Sequence, residues 1–181
     1  LGLPFIVKPK VGKGSSDLYR IDNEEQFRNI ENKNLFISQE LIGDKDSEYT
    51  CGVYKSKFGY KKIIVMRRHL HNGSTIMAEV KENKIIKSYC EKIADAIETT
   101  GPFNIQLRFC EKRNKPYCFE INMRLSGTTP IRHNFGFKDC QVWLKEKLLE
   151  QSFEEEFNVI SSKIAVRHEE EVYLDESFLK S

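Results

Sequence analysis

Long hydrophobic runs and a strong charge of either sign are both missing from this chain, and these absences exclude several classes of function. No apolar stretch approaches the ~20 residues that a membrane-spanning helix needs, and no secretory signal pattern opens the sequence. The 181 residues include 29 basic and 27 acidic side chains, which leave a formal net charge of +2. That balance provides no general attraction to nucleic acid or to a membrane surface, so we expect neither as a partner.

Cysteine pairs of the C-x-x-C type are also missing, so the chain lacks the pattern of a zinc ribbon or a disulfide scaffold. An odd count of five without close spacing favours reduced thiols, and we expect a cytoplasmic protein. Cys110 and Cys118 are candidate neighbours across a hairpin described below. The five positions are Cys51, Cys90, Cys110, Cys118 and Cys140.

The length of the chain suits one substantial core or two small lobes. Hydrophobic residues make up 39% of it and charged residues 31%, which is typical of a globular protein. Predicted strands outnumber predicted helices, and the order of the elements indicates the α+β class. Since the first residue is Leu1 rather than Met, we expect a fragment of a longer protein.

Hydrophobic periodicity predicts most of the secondary structure. The clearest helix covers 83–100, where apolar residues recur at helical spacing, with Asn83 suited to cap its start and Gly101 its end. Residues 125–137 are predicted to form a polar connecting segment. Further helices are predicted over 24–31, capped by Asp22 or Asn23, and over 138–150; strands are predicted over 5–9, 18–21, 35–42, 48–54, 61–70, 75–80, 164–167 and 171–174.

The most informative residues of the chain lie in a predicted β-hairpin. The polar residues 111–115 suit a reversal between strands over 104–110 and 116–121. A turn centred there places Gln106 opposite Glu120. Directly opposite Cβ atoms in such a sheet lie roughly 4.5–5.5 Å apart, so these two side chains are close enough to share a ligand.

Oxygen-bearing side chains converge on one face of this hairpin. The same turn places Asn104 opposite Asn122, and the alternation of a strand puts Glu120, Asn122 and Arg124 together. Hard oxygen donors suit Mg²⁺, which commonly takes substrate phosphates as its other ligands. The hairpin therefore indicates a metal–nucleotide site, although a half-exposed hairpin with a polar outer face has the same pattern.

A second candidate site is the loop that follows the first strand. Lys8 lies at the end of this strand, where a lysine supplies positive charge to phosphate oxygens. Glycine lets backbone amides approach an anion, and serine adds hydroxyl donors. The Walker and Rossmann glycine patterns are both absent, and an ordinary solvated loop is the alternative interpretation. The candidate phosphate-binding residues of the loop are Lys13, Gly14, Ser15 and Ser16.

A third candidate site is the segment from Gln39 to Ile42, which runs from a strand into Gly43. Its backbone groups suit the polar edge of an adenine, while Leu41 and Ile42 suit the face of the ring. Glu48 follows, and a carboxylate suits a pair of ribose hydroxyls. An edge strand followed by a charged turn explains the same residues without a ligand.

Arg67 and Arg68 form a fourth candidate site, in a run of otherwise apolar and basic residues. In a strand, Arg67 shares a face with His69 and His71, while Arg68 takes the other face. These arginines are candidates for holding an anionic substrate or a phosphate. A solvated basic edge that discourages strand aggregation has the same pattern.

Taken together, these segments resemble the ATP-grasp superfamily, in the branch similar to the carbamoyl-phosphate synthase large subunit and related carboxylate–amine ligases. The resemblance runs from about Pro4 to Glu150, and the order and spacing of its motifs are more specific than any one of them. It is carried by Ile6-Val7-Lys8-Pro9 with the Gly/Ser loop, by Gln39-Glu40-Leu41-Ile42 with Gly43 and Glu48-Tyr49-Thr50, and by Gly101–Gln106 with Phe119–Arg124.

The resemblance implies an ATP cleft between two α+β lobes, with the nucleotide under a flexible glycine-rich loop. By that resemblance, Lys8 contacts phosphate and the adenine edge, Glu40 and Ile42 meet the adenine, and Glu48 meets the ribose. Gln39 and Leu41 complete the implied nucleotide-binding segment.

The same resemblance assigns the metal ligands and the catalytic groups. Gln106 and Glu120 hold one Mg²⁺, and Glu120 and Asn122 hold a second, with Mn²⁺ able to substitute. Arg124, together with Lys8, stabilises the transferred phosphoryl group. The implied reaction activates a carboxylate as an acyl phosphate for attack by an amine or a similar nucleophile. The implied partners are therefore small-molecule carboxylate and amine substrates, and the sequence leaves a homodimer open.

Some family features are missing or changed. Asp17 stands where glycine is common at the end of the loop, and Met123 where proline is common between Asn and Arg. The preceding domain and its phosphate-binding lysine are absent, so we expect a missing N-terminal part of the same polypeptide and an incomplete active site in the fragment. The expected division is a small-lobe portion over 1–42, a C-terminal lobe with the metal site over 43–150, and an extension over 151–181.

Two other functions compete with a ligase. One is a non-catalytic or regulatory nucleotide-binding ATP-grasp lobe, which binds without turnover. The other is a basic nucleic-acid module, which the near-neutral net charge disfavours.

Overall fold

The computed structural model describes residues 1–11, 18–44, 47–71 and 73–168. Two antiparallel sheets account for all of the strands in these ranges. The strands are β1 (Phe5–Pro9), β2 (Tyr19–Ile21), β3 (Phe36–Glu40), β4 (Glu48–Lys55), β5 (Lys61–His71), β6 (Ser74–Val80), β7 (Gly101–Cys110), β8 (Lys115–Asn122) and β9 (Ile164–Val166). The α-helices are α1 (Glu24–Arg28), α2 (Lys84–Ala96), α3 (Thr129–Asn134) and α4 (Asp139–Leu149), with 3-10 helices at Lys33–Leu35, Glu111–Arg113 and Glu154–Glu156.

The smaller sheet has three strands in the order β2-β1-β3. Phe5 and Val7 alternate toward a small core that also contains Ile21, and Phe27 of α1 packs against it. The side chain of Asn23 caps α1 by accepting from the backbone N–H of Gln26. The remaining face of β1, which carries Lys8, is half-buried.

The larger sheet has six strands in the order β8-β7-β4-β5-β6-β9. One face of it is covered by α2, whose buried residues recur at helical spacing as Ile86, Cys90 and Ala94. The side chain of Asn83 caps α2 by accepting from the N–H groups of Ile85 and Ile86. This apolar layer leaves the other face of the sheet for α3, α4 and a polar cluster.

On the other face, α3 and α4 pack together, and α4 contacts β7 and the end of β4. Their side chains pack against Tyr54, Ile64 and Met66 in a second core. Polar side chains of this face lie on β8, β7 and the start of β4. Glu48, Thr50 and Asn104 are buried, whereas Glu120 on β8 is exposed. The fold therefore leaves one patch of the sheet open beside the small sheet.

The predicted α+β class is confirmed, and several local predictions are wrong. The helix predicted to reach Thr100 ends at Ala96, and Gly101 begins β7 with a φ of 113° instead of capping the helix. The segment predicted to be a polar connection contains α3. Pro130 lies in the first turn of α3, where its missing backbone N–H costs no helical hydrogen bond. The next residue, Ile131, is buried in the second core.

The cysteines are all free thiols. Cys110 lies opposite Lys115 and Cys118 opposite Leu107, so the prediction that the two cysteines face each other is wrong. Within the described ranges, no helix is long and apolar enough to cross a membrane. The strand predicted over 171–174 falls outside the described residues.

A buried carboxylate joins α4 to the larger sheet. Glu146 is 2% exposed and accepts hydrogen bonds from the hydroxyls of Tyr54 at 2.7 Å, Ser56 at 2.8 Å and Tyr60 at 2.5 Å. Burial, followed by the hydrogen bond to this carboxylate, raises the pKa of both phenols above their usual range. The neutral phenols are therefore the state that fits the folded protein.

These raised pKa values predict a loss of stability in alkali. Since the folded state holds the two phenolic protons more tightly than the unfolded state, their contribution is complete below about pH 10 and falls as the pH rises further. Urea unfolding measured across this range is expected to show that decline. The double variant Tyr54→Phe/Tyr60→Phe should flatten it, whereas Tyr19→Phe, which removes an exposed hydroxyl, should leave it unchanged. If the free energy of unfolding fell equally with pH in the double variant and in Tyr19→Phe, the two buried phenols would not be the cause of the decline.

Candidate functional site

A one-residue bulge in β8 sets the direction of the candidate metal ligands. Leu107 lies opposite Cys118 on the face covered by α2, but Gln106 lies opposite Glu120, so Phe119 is the extra residue. In a regular strand, Glu120 would share the apolar face with Cys118. The bulge reverses the alternation and turns Glu120 to the polar face.

The predicted cross-strand pairs of the hairpin are present in the structure. Gln106 lies opposite Glu120, and Asn104 lies opposite Asn122. Glu120 is exposed, and none of the described side chains hydrogen-bonds to its carboxylate or forms an ion pair with it. An anionic carboxylate flanked by amide oxygens has the donor set that a hard divalent cation needs. The residues present therefore fit a magnesium ion.

Asn104 is the buried member of this group, at 1% exposure. Its side-chain oxygen accepts from the hydroxyl of Thr50 at 3.0 Å and from that of Ser126 at 3.3 Å. Its amide nitrogen finds no hydrogen-bond partner among the described residues. The side-chain oxygen of Asn104 is thus already occupied by these two hydroxyls, so it is less available to a cation than the oxygens of Glu120 and Asn122.

Glu48 is buried at the centre of an ionic network rather than exposed. One carboxylate oxygen accepts from Arg68 Nη2 at 2.7 Å, and the other accepts from Arg108 Nη2 at 3.2 Å. The same Arg68 nitrogen also donates to Gln106 Oε1 at 2.7 Å. The network therefore connects the candidate ribose ligand to a candidate metal ligand through one guanidinium group.

The two neighbouring arginines of β5 lie on opposite faces of the sheet. Arg68 belongs to the polar cluster, whereas Arg67 lies opposite Tyr49 on the face of α2 and forms an ion pair with Glu79. A register shift in the pairing of β5 with β6 follows His69. The structure thus brings Arg68, but not Arg67, to the other candidate residues.

The segment between the two sheets is held against the hairpin by two arginines. Glu40 ends β3 and forms an exposed ion pair with Arg113 at 2.5 Å, and this hydrogen bond lowers the pKa of Glu40. Arg108 donates to the carbonyl oxygen of Ile42 at 3.3 Å. Leu41 between them is half-buried, so the linker lies against the polar cluster.

Lys8 lies on the face of the small sheet away from its core. It is opposite Ile37, and the neighbouring pair on this face joins Ile6 to Gln39. The candidate loop residues lie outside the described ranges, so only the strand end that leads into the loop is seen. Those loop residues are Lys13, Gly14, Ser15 and Ser16.

Arg124 follows the end of β8 and is exposed. Its backbone N–H donates to the carbonyl of Asn122 at 2.8 Å, and its guanidinium donates to the carbonyl of Leu125 at 3.1 Å. A loop over 125–128 then leads into α3. The backbone of Arg124 thus adjoins Asn122, while its guanidinium contacts the start of the loop.

Sequence reasoning missed a buried ion pair beneath this loop. Arg132 and Asp139 are both fully buried, and the guanidinium donates to Asp139 Oδ2 through Nε at 2.9 Å and Nη2 at 2.5 Å. Gly52 lies in the middle of β4, where a Cβ atom would come within 2.7 Å of Arg132 Cδ. A glycine inside a strand marks a close approach of this kind, so Gly52 was the available signal.

The comparisons with known proteins identify the fold. Residues 33–172 match a family described as "ATP-grasp in the biosynthetic pathway with Ter operon". No curated protein matches the chain at the level of sequence. The solved structures that match are larger than this chain. The chain covers 41% to 44% of the length of several of them, which is about two fifths.

Three solved structures illustrate the likeness. Carboxyaminoimidazole ribonucleotide synthase from Aspergillus clavatus, complexed with ATP, has a TM-score of 0.72 and 12% identity, with 88% of this chain and 44% of that chain covered. N5-carboxyaminoimidazole synthetase from Staphylococcus aureus, complexed with ADP, has a TM-score of 0.66 and 15% identity, and the match covers 92% of this chain and 44% of that chain. The biotin carboxylase–β-γ-ATP complex from Campylobacter jejuni has a TM-score of 0.65 and 15% identity, and the match covers 80% of this chain and 36% of that chain. These likenesses show part of an ATP-grasp fold.

The buried network predicts a large difference between two glutamates of this region. Glu48→Ala leaves the Arg68 guanidinium, whose side chain is 9% exposed, without its carboxylate, and breaking such a pair costs about 3–5 kcal/mol of unfolding free energy. Glu40→Ala removes only an exposed pair and is the matched control. Urea unfolding of both variants measures the difference. Equal midpoints for the two variants would show that Glu48 is not held as described.

Proposed function

Because this chain belongs to the family described as "ATP-grasp in the biosynthetic pathway with Ter operon", we propose that it is the C-terminal portion of an ATP- and Mg²⁺-dependent ligase. The family confirms the resemblance at the level of the ATP-grasp superfamily. The finer proposal is a carboxylate–amine ligase in the branch similar to the carbamoyl-phosphate synthase large subunit. The observation that supports it most is the open carboxylate of Glu120 between Gln106 and Asn122 on the uncovered face.

We propose that the nucleotide lies between the small sheet and this polar face. In that arrangement, Lys8 faces the phosphates, and the linker around Glu40 and Ile42 meets the adenine. The division into a small-lobe portion over 1–42 and a lobe with the metal site over 43–150 belongs to the same proposal. Arg108 and Arg113 support it, because they fix the linker against the hairpin.

Gln106, Glu120 and Asn122 are the proposed ligands of Mg²⁺, with Glu120 shared between two ions when two are bound. When bound, the metal neutralises charge on the phosphate oxygens of the nucleotide. Glu120 supplies the only carboxylate of this set, so it contributes most of the attraction for a divalent cation. Gln106 must share its oxygen with Arg68, from which it accepts a hydrogen bond at 2.7 Å.

The proposed reaction follows from the poor electrophilicity of a carboxylate, whose leaving group would be oxide. A carboxylate oxygen of the substrate attacks the γ-phosphorus of ATP, the bond from that phosphorus to the bridging oxygen breaks, and ADP leaves. The amine nitrogen then attacks the acyl carbon, phosphate leaves, and the nitrogen loses a proton to solvent or to phosphate. Arg124 and Lys8 stabilise the negative charge of the transferred group by position and charge.

One observation favours the non-catalytic alternative, a lobe that binds nucleotide without turnover. Both oxygens of Glu48 already accept from arginines, and Gln106 already accepts from Arg68. A nucleotide must add to, or displace, these contacts. Titration of the full-length protein with ATP, with and without Mg²⁺, combined with an assay for ADP, separates the two functions. Binding without ADP formation, across candidate carboxylates and amines, would favour the alternative and reject the ligase.

The metal assignment predicts that Glu120→Gln lowers turnover more than it weakens nucleotide binding. Replacing the one carboxylate of the set removes the charge that attracts the cation, and we expect at least about a 100-fold loss of kcat. Single-turnover formation of ADP and the Mg²⁺ concentration needed for half-maximal rate are the measurements. The matched control is Glu111→Gln, an exposed glutamate in the turn of the same hairpin. Unchanged Mg²⁺ dependence in Glu120→Gln would reject the assignment.

A further inference from the structure

A buried arginine that contacts none of the proposed ligands or reacting groups holds the loop that follows Arg124. Arg132 is 0% exposed and is fixed by the equally buried Asp139. Two of its three guanidinium nitrogens donate to Asp139 Oδ2, at 2.9 and 2.5 Å. The pair therefore fixes the orientation of the guanidinium and leaves one nitrogen for another partner.

The fold gives this side chain a dedicated space. A Cβ atom on Gly52 would lie 2.7 Å from Arg132 Cδ, which is closer than packed atoms allow, and 3.0 Å from Ile64 Cγ2, which is a tight contact. The arginine therefore crosses β4 at the one position of that strand without a side chain. Such a narrow passage restricts the rotamers of Arg132 as well as its charge partner.

The remaining nitrogen of Arg132 contacts the loop over 125–128. Arg132 Nη1 donates to Ser126 Oγ at 2.9 Å. The same hydroxyl lies 2.9 Å from Thr128 Oγ1 and donates to Asn104 Oδ1 at 3.3 Å, so it connects the loop to β7. One serine hydroxyl thus receives the fixed arginine and contacts the strand opposite Asn122.

A second arginine holds the same loop from the other side. Arg167 donates through its guanidinium to the carbonyl oxygen of Gly127. Its own backbone N–H donates to the carbonyl of Ile76 at 2.8 Å, directly after β9 pairs with β6. The larger sheet therefore supports the loop through two independent contacts.

We propose that Arg132 is a positioning residue that acts through Ser126 to fix the loop after Arg124, with Arg167 as the second support. This inference rests on the proposed ligase function for its effect on turnover. A loop held at both a side chain and a carbonyl keeps the Arg124 guanidinium and the Asn122 side chain in one relative arrangement. Displacements of about 1 Å near a reaction centre lower rates by up to about 100-fold.

The test uses Ser126→Ala in the full-length protein, because this variant removes the link and keeps the buried ion pair. We expect kcat to fall about 10- to 100-fold while KM for ATP changes less than about 2-fold, because the proposed nucleotide contacts lie elsewhere. Amide hydrogen exchange of the peptide over 124–130 should accelerate, with exchange of β4 unchanged. Ser126→Thr keeps a hydroxyl and should restore both readouts. Ser88→Ala, an exposed serine on α2, is the matched control.

A second variant separates positioning from folding. Arg132→Met/Asp139→Asn removes both buried charges together, so neither is left unpaired. We expect it to fold, to exchange the loop amides faster and to lose turnover as Ser126→Ala does. Wild-type turnover and wild-type loop exchange in either variant would overturn the proposal, and the ion pair would then serve stability alone.

The two proposals fail in different ways. If the wild-type protein forms no ADP with any carboxylate, the ligase function is wrong, while hydrogen exchange still tests the support of the loop. If the wild-type protein turns over and loop exchange is the same in Ser126→Ala, the ligase function stands and the positioning role is rejected.

Discussion

The register of the β7–β8 hairpin is the constraint on which the candidate site depends. One extra residue, Phe119, allows Cys118 to pack on the core under α2 while Glu120 and Asn122 face the other way. Without this bulge, the Glu120 carboxylate, which pairs with none of the described side chains, would be directed into an apolar layer, where an ionised group is strongly disfavoured. The proposed cation site therefore depends on the direction of these two side chains.

Charge compensation is the second organising principle of this face. Glu48 balances two arginines, and Asp139 balances Arg132, so most of the cationic groups near the cluster are already paired. Among the described residues, none pairs with the exposed carboxylate of Glu120, and the exposed guanidinium of Arg124 donates to the carbonyl of Leu125. A nucleotide bound at Glu48 and Gln106 would have to add to, or displace, the hydrogen bonds that these two side chains already accept.

The sequence predicted the class, the hairpin and its pairing at Gln106 and Glu120, because strand alternation and turn chemistry are local signals. It missed the bulge, and it placed Cys118 opposite Cys110 although the register that pairs Gln106 with Glu120 does not bring the two cysteines together. It could not show that Glu48 is buried by Arg68 and Arg108, since these contacts join residues far apart in the chain. α3 was missed because Pro130 and the polar residues before it suggested a connection.

Gly52 ties two distant positions of the chain to each other. A methyl group there would occupy the space of the Arg132 side chain, and a smaller residue at 132 would leave Asp139 buried without a counter-ion. Across related sequences, positions 132 and 139 should therefore change together, and a side chain at position 52 should occur only where the residue at 132 leaves room for it. A replacement of Gly52 must therefore follow the loss of the buried arginine and not precede it, which gives the substitutions in this corner of the sheet a fixed order.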